Sequence, residues 1–530
     1  MYKNSEFGDI LDHFSEINKL DFNNIHSNQK DFKSRIIDDA FIYLDFNRNL
    51  TDSRTLPLLE KFLISKDFFS FRKNLFNGKI LNTTENKSAD HIALRNSEND
   101  LFTGNRDVKD KIIQSLKRIK EITRIIHSGR STEYLAGNMK HVVHIGIGGS
   151  DLGPRLVADA LREYQLETAP QLLFASSVDP YELQHILNKI DLEKTLFVVV
   201  SKSFKTPEIL LISEYFINAL KNKAVDYKNR FIIVSANASS REILKTHGDN
   251  FIEIPDTIGG RFSLWSATGL SISLYLGYER FIELLNGAAA MDRHFLDQSP
   301  LNNIPAILAL LEFWYTNFFQ SKFYTVNPYT ERLRLLPMYL QQLQMESNGK
   351  STDLAGNQIS YPTSSAVIGV TGTACQHSYF QSLHQGNHFF HADFIGLLRA
   401  PDFEIHKKNY AFLFSSMLAQ AQTLIAGYKS SEKQTVEQHK KIEGNKPCNL
   451  ILLKEWSPAA LGNLLAMYEH KTAVLGVLWQ VNSFDQWGVE RGKEICAQIE
   501  NYINHTSNGD STSSLIDPLS ENDIQLFKTL

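Results

Sequence analysis

Between residues 121 and 290 the apolar positions of the chain switch between two periods. Continuous apolar runs at 141–147, 171–176, 196–201 and 230–234 read as buried strands, and the stretches between them carry apolar residues at helical spacing. That alternation predicts a parallel sheet wrapped by helices. A second α/β pattern follows, with strands expected at 366–370, 388–395 and 449–453. Ser457-Pro458 opens a helix there, a cap residue followed by proline at the first helical position. Residues 300–345, rich in leucine and aromatic residues, read as long helices. Residues 1–120 read as mainly helical and irregular, with one short strand at 41–46 and two polar segments, 72–80 and 93–96, that could loop over a site. No linker marks a boundary between the halves, and the Ser/Asn/Asp-rich stretch 506–530 reads as a loosely docked tail. The expected fold class is α/β: an N-terminal helical segment (1–120), two doubly wound parallel-sheet domains (121–290 and 300–505) with added helices, and the tail.

Composition removes several function classes. The 530 residues suffice for two or more domains. A net charge of −4 and the lack of a long basic tract argue against a nucleic-acid partner. No apolar run reaches the ~18 residues of a membrane span, and the start, M-Y-K-N-S-E-F-G-D, has no apolar signal core. Three widely spaced cysteines, Cys375, Cys448 and Cys496, fit a reducing compartment better than a disulfide framework. A cytoplasmic protein without a membrane partner is expected.

Candidate chemistry concentrates in turns. H-I-G-I-G-G-S-D-L-G-P at 144–154 follows a strand and opens a helix, where glycines allow close backbone approach and unpaired N–H groups can hold an anion. Ser150 adds a hydroxyl and Asp151 a capping carboxylate. The dinucleotide pattern G-x-G-x-x-G fails, because Asp151 occupies its third glycine position. Residues 196–211 repeat the logic: a buried strand, then Ser201-Lys202-Ser203, then a helix started by Thr206 and Pro207. Two hydroxyl-rich turns in one sheet can face one phosphate, although ordinary helix capping uses the same residues.

Four further residues offer acid, base or cation. Arg261 follows two glycines at the start of an apolar helix and can stabilise an oxyanion. Glu346, in M-E-S-N-G-K, can act as a general base. The G-K-S after it is no phosphate loop, since Gln344 stands where the first glycine is required. His377 lies in a turn after a strand, and Lys493 in F-D-Q-W-G-V-E-R-G-K can donate to a substrate oxygen. Each also has a plainer role open to it: a surface ion pair, a solvated helix end, a structural histidine, a solvent-facing lysine. His384, His388, His391 and Asp393 have metal-like spacings of four and three, but Gly386-Asn387 interrupts the helix this would need, so structural histidines are expected.

Taken together, six segments closely resemble the glucose-6-phosphate isomerase (phosphoglucose isomerase) family, in the family's order. They are G-I-G-G-S-D-L-G-P at 146–154, S-K-S-F at 201–204, G-G-R-F-S-L-W-S-A at 259–267, M-E-S-N-G-K at 345–350, G-T-A-C-Q-H at 372–377 and S-F-D-Q-W-G-V-E-R-G-K at 483–493. The resemblance implies two sugar-isomerase domains, a homodimer with shared active sites, no metal and no cofactor. It implies a sugar phosphate substrate: D-glucose 6-phosphate and D-fructose 6-phosphate are interconverted. By the same resemblance, Glu346 moves the proton between C2 and C1, and Arg261 stabilises the cis-enediolate. His377 and Lys493 open the ring, with His377 coming from the partner subunit and Glu208 orienting it. Ser150, Ser201, Ser203 and Thr206 bind the phosphate, Gly149 and Lys202 lie beside the sugar, and Gln342 and Gln486 make further contacts.

The chain departs from the family's usual S-K-T-F-T-T-x-E-T. Ile209 removes a hydroxyl expected to reach the phosphate, Lys205 adds a cation that either compensates or points to solvent, and Cys375 replaces a usual glycine. Two other classes stay open, a metal-dependent hydrolase built on the histidine cluster and a non-catalytic sugar-phosphate sensor. A sensor would have no need to keep Glu346, Arg261, His377 and Lys493 together.

Overall fold

The computed structural model describes residues 5–26, 35–96, 101–428, 435–505 and 516–529. The chain divides into two compact units, 1–483 and 484–530. In the first unit the strands are β1 (Ile36–Asp38), β2 (Ile42–Asp45), β3 (Ile80–Asn82), β4 (Lys87–Ser88), β5 (His141–Ile145), β6 (Gln171–Ala175) and β7 (Thr195–Val200). They continue with β8 (Phe231–Ser235), β9 (Phe251–Glu253), β10 (Phe323–Pro328), β11 (Ala366–Ile368), β12 (Phe390–Leu397) and β13 (Cys448–Leu453).

One sheet is wholly parallel, in the order β6-β5-β7-β8-β9. Every residue of β7 and β8 is buried, because helices cover both faces, and this is why these strands read as unbroken apolar runs. Ile209, Ile212 and Phe216 of the helix Pro207–Asn222 pack into the same core. The strand order reverses between β5 and β7. A parallel sheet opens a crevice outside the carboxyl ends of its strands at such a point. Both hydroxyl-rich turns leave from these two strands.

The second sheet has the order β1-β2-β13-β12-β10-β11. Its last four strands are parallel, while β1 and β2 pair antiparallel at one edge, with Asp45 opposite Leu450. The strand expected at 41–46 is therefore β2, and the N-terminal segment completes this sheet. The 300–345 stretch is not all helix: after Ile304–Asn317 the chain forms β10 between β11 and β12. Six residues between helices are too few for the period to decide, and the aromatic and β-branched F-Y-T-V tips them to strand.

The two polar segments are not loops over a site. Phe68–Phe76 is helical, and Asp90–Arg95 is a buried 3-10 turn. There Arg95 holds Asp292 with two bonds (2.7 and 2.6 Å) and also Glu469, while His470 Nε2 lies 2.7 Å from Asp292. A cation this deep is tolerated only with such partners. Glu469 and His470 sit on the helix Pro458–Trp479, started as expected by Ser457, whose side chain accepts from the Ala460 N–H. That helix lies so close to Tyr278–Asp297 that a Cβ on Gly287 would be 1.9 Å from the Ala459 carbonyl oxygen.

The three cysteines are unpaired, and no helix among the described residues is long and apolar enough to cross a membrane. In the second unit a 3-10 turn, Trp487–Val489, leads into the helix Glu490–His505. Of the expected tail, 506–515 and 530 fall outside the described residues, and Pro518–Thr529 is helical.

Candidate active site

From β5 the chain turns through Gly148–Ser150 into the helix Leu152–Ala160. Gly148 has φ +58°, which glycine adopts without strain. A Cβ on Gly149 would lie 2.2 Å from the Gly260 carbonyl carbon, so this turn and the Gly259–Arg261 loop run backbone against backbone. His144 braces the turn from below. Burial keeps its ring neutral, with Nε2 donating to the Ser150 carbonyl (2.6 Å) and Nδ1 accepting from the Ser271 hydroxyl (2.8 Å). Asp151 does not cap the helix; its carboxylate pairs with Arg155 at 3.0 Å. Among the described residues no hydrogen bond engages the Ser150 hydroxyl.

From β7 the chain leaves through Ser201, Lys202 and Ser203. The two serine hydroxyl oxygens accept from the N–H groups of Phe204 (3.1 Å) and Lys205 (3.2 Å). This occupies oxygen lone pairs and leaves both O–H donors for an anion. Phe204 adopts φ +56°, costly for a bulky residue, and buries its ring in the core. Thr206 is the N-cap of Pro207–Asn222 as expected, but its hydroxyl makes no cap bond and stays available. Lys202 is half-buried and makes no ion pair among the described residues. Burial first, then the nearby Lys87, holds its pKa below the usual lysine value. Ile209 corrects an expectation: at 2% exposure it packs in the core, so a hydroxyl there would face the core and not the phosphate. Lys205 is exposed.

Arg261 is 3% exposed and held on several sides. Its Nε donates to the Ser347 hydroxyl (2.6 Å) and Nη2 to the Ser483 carbonyl (2.7 Å), and Nη1 lies 3.4 Å from Glu346 Oε1. Glu346 keeps 22% of its side chain exposed. It ends a π-helical turn, Gln341–Glu346, a rare geometry that recurs at functional sites. Gln342 in the same turn lies beside Gly148, whose added Cβ would be 3.1 Å from its amide nitrogen. The Gly148–Ser150 turn, Arg261, Gln342 and Glu346 thus converge at the reversal point of the first sheet.

The remaining expected residues are His377, Glu208, Gln486 and Lys493. His377 ends the short helix Gly372–Gln376 and is exposed, and its side chain has no hydrogen bond or ion pair among the described residues. Glu208, in the first turn of Pro207–Asn222, is equally exposed and unpaired. Gln486 and Lys493 belong to the second unit, where Lys493 Nζ lies 2.8 Å from Glu490. His384 is bonded to Gln420 (2.8 Å), and His391 to Ser321 (3.0 Å) with its ring stacked on Tyr324. Among the described residues no three potential ligands are grouped to hold a metal ion. The sequence reading passed over the bracing by His144 and the grip of Ser347 and Ser483 on Arg261. His144 carried a signal, a polar residue within an apolar strand, whereas a backbone carbonyl leaves none.

The phosphoglucose isomerase family model matches residues 45–516. The chain is 40% identical over 511 residues to a glucose-6-phosphate isomerase of Chlorobium luteolum, covering 92% of each. It is 36% identical over 539 residues to that of Helicobacter pylori strain G27, covering 98% of this chain and 97% of the relative. The crystal structure of a glucose-6-phosphate isomerase from Chlamydia trachomatis matches with a TM-score of 0.87 at 28% identity, covering 99% of both chains. By sequence over nearly its whole length, and by fold, this chain belongs to the phosphoglucose isomerase family.

Proposed function

We propose that this chain interconverts D-glucose 6-phosphate and D-fructose 6-phosphate, a step of glycolysis and gluconeogenesis, through acid–base ring opening and a cis-enediolate. The observation that carries this reading is the contact of Arg261 with Glu346, 3.4 Å, beside the phosphate turn. Glu346 removes the C2 proton and returns it at C1. The charge that develops on oxygen meets the Arg261 guanidinium, which is buried, little screened, and already held by Ser347 and Ser483. The phosphate takes the O–H donors of Ser150, Ser201, Ser203 and Thr206 and the helix N-terminal N–H groups, while Lys202, beside the sugar, adds its charge nearby. A half-buried lysine without a carboxylate gains most from such a dianion. Gly149 lies beside the sugar, and Gln342 and Gln486 bind its hydroxyls.

Lys493 and His377 open the ring. The His377 side chain is exposed and has no partner among the described residues, so we assign it to the site of a second copy. Each site of the homodimer is completed by His377 of the partner subunit, oriented by Glu208. All steps are proton transfers and call for no cofactor and no metal. The protein works in the cytoplasm, with two sugar-isomerase domains at 121–290 and 300–505. The test is a coupled assay of glucose 6-phosphate formed from fructose 6-phosphate, with and without chelator. Turnover indifferent to chelator is expected. Absence of product above background would end the isomerase reading, and loss of turnover with chelator would favour metal-dependent chemistry.

A further inference from the structure

Side chains of the π-helical turn Gln341–Glu346 point two ways. Gln342 and Glu346 face Gly148 and Arg261. Gln344, between them, is 2% exposed and turns inward, its amide donating to Glu312 Oε1. Glu312 in turn pairs with Lys471, Nζ to Oε2 2.7 Å, with both side chains out of solvent. Lys471 Nζ lies 3.8 Å from the centre of the Tyr324 ring, whose hydroxyl donates to Asp393. Glu312 comes from Ile304–Asn317, Lys471 from Pro458–Trp479, Tyr324 from β10 and Asp393 from β12. One polar chain thus ties the turn to two central helices and two strands.

Stability alone does not account for it. A buried ion pair adds little over apolar residues of the same volume, and a π turn departs from ordinary helical bonding. What a chain of paired buried groups supplies is a single geometry. Resting on the isomerase reading of Glu346, we propose that Gln344 is a positioning residue. Its bond to the Lys471-paired Glu312 fixes the π turn, and so holds Glu346 against Arg261 and Gln342 against Gly148.

Two variants of the full chain test this. Gln344→Met removes the donor at nearly equal length. The double variant Gln344→Glu/Glu312→Gln reverses the bond: the new amide accepts from Lys471 and donates to the new carboxylate, so charge and bonds are kept. With fructose 6-phosphate, Gln344→Met should lose at least ~10-fold in kcat with KM within about threefold, and the double variant should return to within about threefold of the parent. A Gln344→Met enzyme within twofold of the parent would overturn the proposal. So would a folded double variant below roughly a tenth of the parent kcat, which also decides the matter if Gln344→Met does not fold. A crystal structure of either variant gives a readout free of activity. Glu346 should have left Arg261 in Gln344→Met and stayed beside it in the double variant; an unmoved Glu346 in the first, or a displaced one in the second, contradicts positioning. A parent without isomerase activity would defeat the functional reading, and the crystallographic comparison would still decide the role of Gln344.

Discussion

Glu346 combines partial exposure with a fixed cation 3.4 Å away, the setting a base needs to reach substrate and meet the charge it creates. Glu346→Gln keeps the shape and removes the proton-accepting oxygen. It should melt within a few degrees of the parent and lose ~10²–10⁴-fold in kcat; a loss of only a few-fold would remove Glu346 from this role. Ile209 shows where residue-by-residue reading went astray. Comparison of short strings made it a missing phosphate ligand, yet positions 209, 212, 216 and 220 repeat at helical spacing, and all four are buried. The period already marked the core face. Ile209→Thr places a hydroxyl in that cluster at a cost of ~1–3 kcal/mol, so a lower Tm with unchanged KM is expected. A lowered KM would mean that the position reaches the phosphate. Turn residues such as Ser201 and Arg261 were legible because their setting is local in sequence. The grip on Arg261 was not, because it comes from residues 86 and 222 positions away.

Elements were most legible where their burial is uniform. The strands expected at 141–147, 171–176, 196–201 and 230–234 are β5 to β8 within a few residues; β7 and β8, buried throughout, show most plainly that a strand covered on both faces has an unbroken apolar run. Missed β10 and the antiparallel pairing of β2 depend on partners far along the chain, which no local period reports. Contact between elements gives two expectations. Gly149→Ala forces the phosphate turn off the Gly260 backbone, 2.2 Å away, and carries Arg261 with it. Overpacking costs ~1–3 kcal/mol, and a 1 Å error in placement can cost ~10²-fold in rate. We expect kcat/KM to fall by more than ~10-fold in a folded protein; a value within twofold of the parent would show that the two loops move independently of catalysis. The second concerns the docking of Ser5–Ile17, where His13 Nε2 lies 2.8 Å from the Thr55 hydroxyl and 3.3 Å from Asp52. Burial alone would raise the Asp52 pKa, but bonds from His13, the Arg54 N–H and Thr55 outweigh it and hold the carboxyl well below its usual range. A pKa lowered on folding stabilises fully above the unfolded value of ~3.9 and is lost as pH falls below it. Asp52→Asn should therefore lower Tm at pH 7, with the gap narrowing as pH falls below about 4. A gap that does not change with pH would assign the effect to packing.

For the whole molecule, the proposed reaction assigns His377 to the site of a second copy of the chain. The side chains of His377 and Glu208 are both exposed and without partners among the described residues, as the proposed sharing of sites between two copies requires. Sequence carried the family in six separated strings but could carry no geometry between copies, since an interface depends on surfaces rather than on order along the chain. The symmetry makes a quantitative expectation. Take Glu346→Gln and His377→Ala homodimers, each inactive on the cyclic substrate, and let subunits exchange. If sites are shared, every hybrid has one site bearing both changes and one bearing neither. Random exchange at equal amounts makes half the dimers hybrid, so about a quarter of all sites regain the parental set. If each chain instead builds its site alone, every site in the hybrid carries one change and none recovers. Recovery near a quarter of parental activity, with hybrids verified by native mass spectrometry, is the expected result. Verified hybrids without recovery would place His377 outside the partner's site, and its loss would then have to act within its own chain.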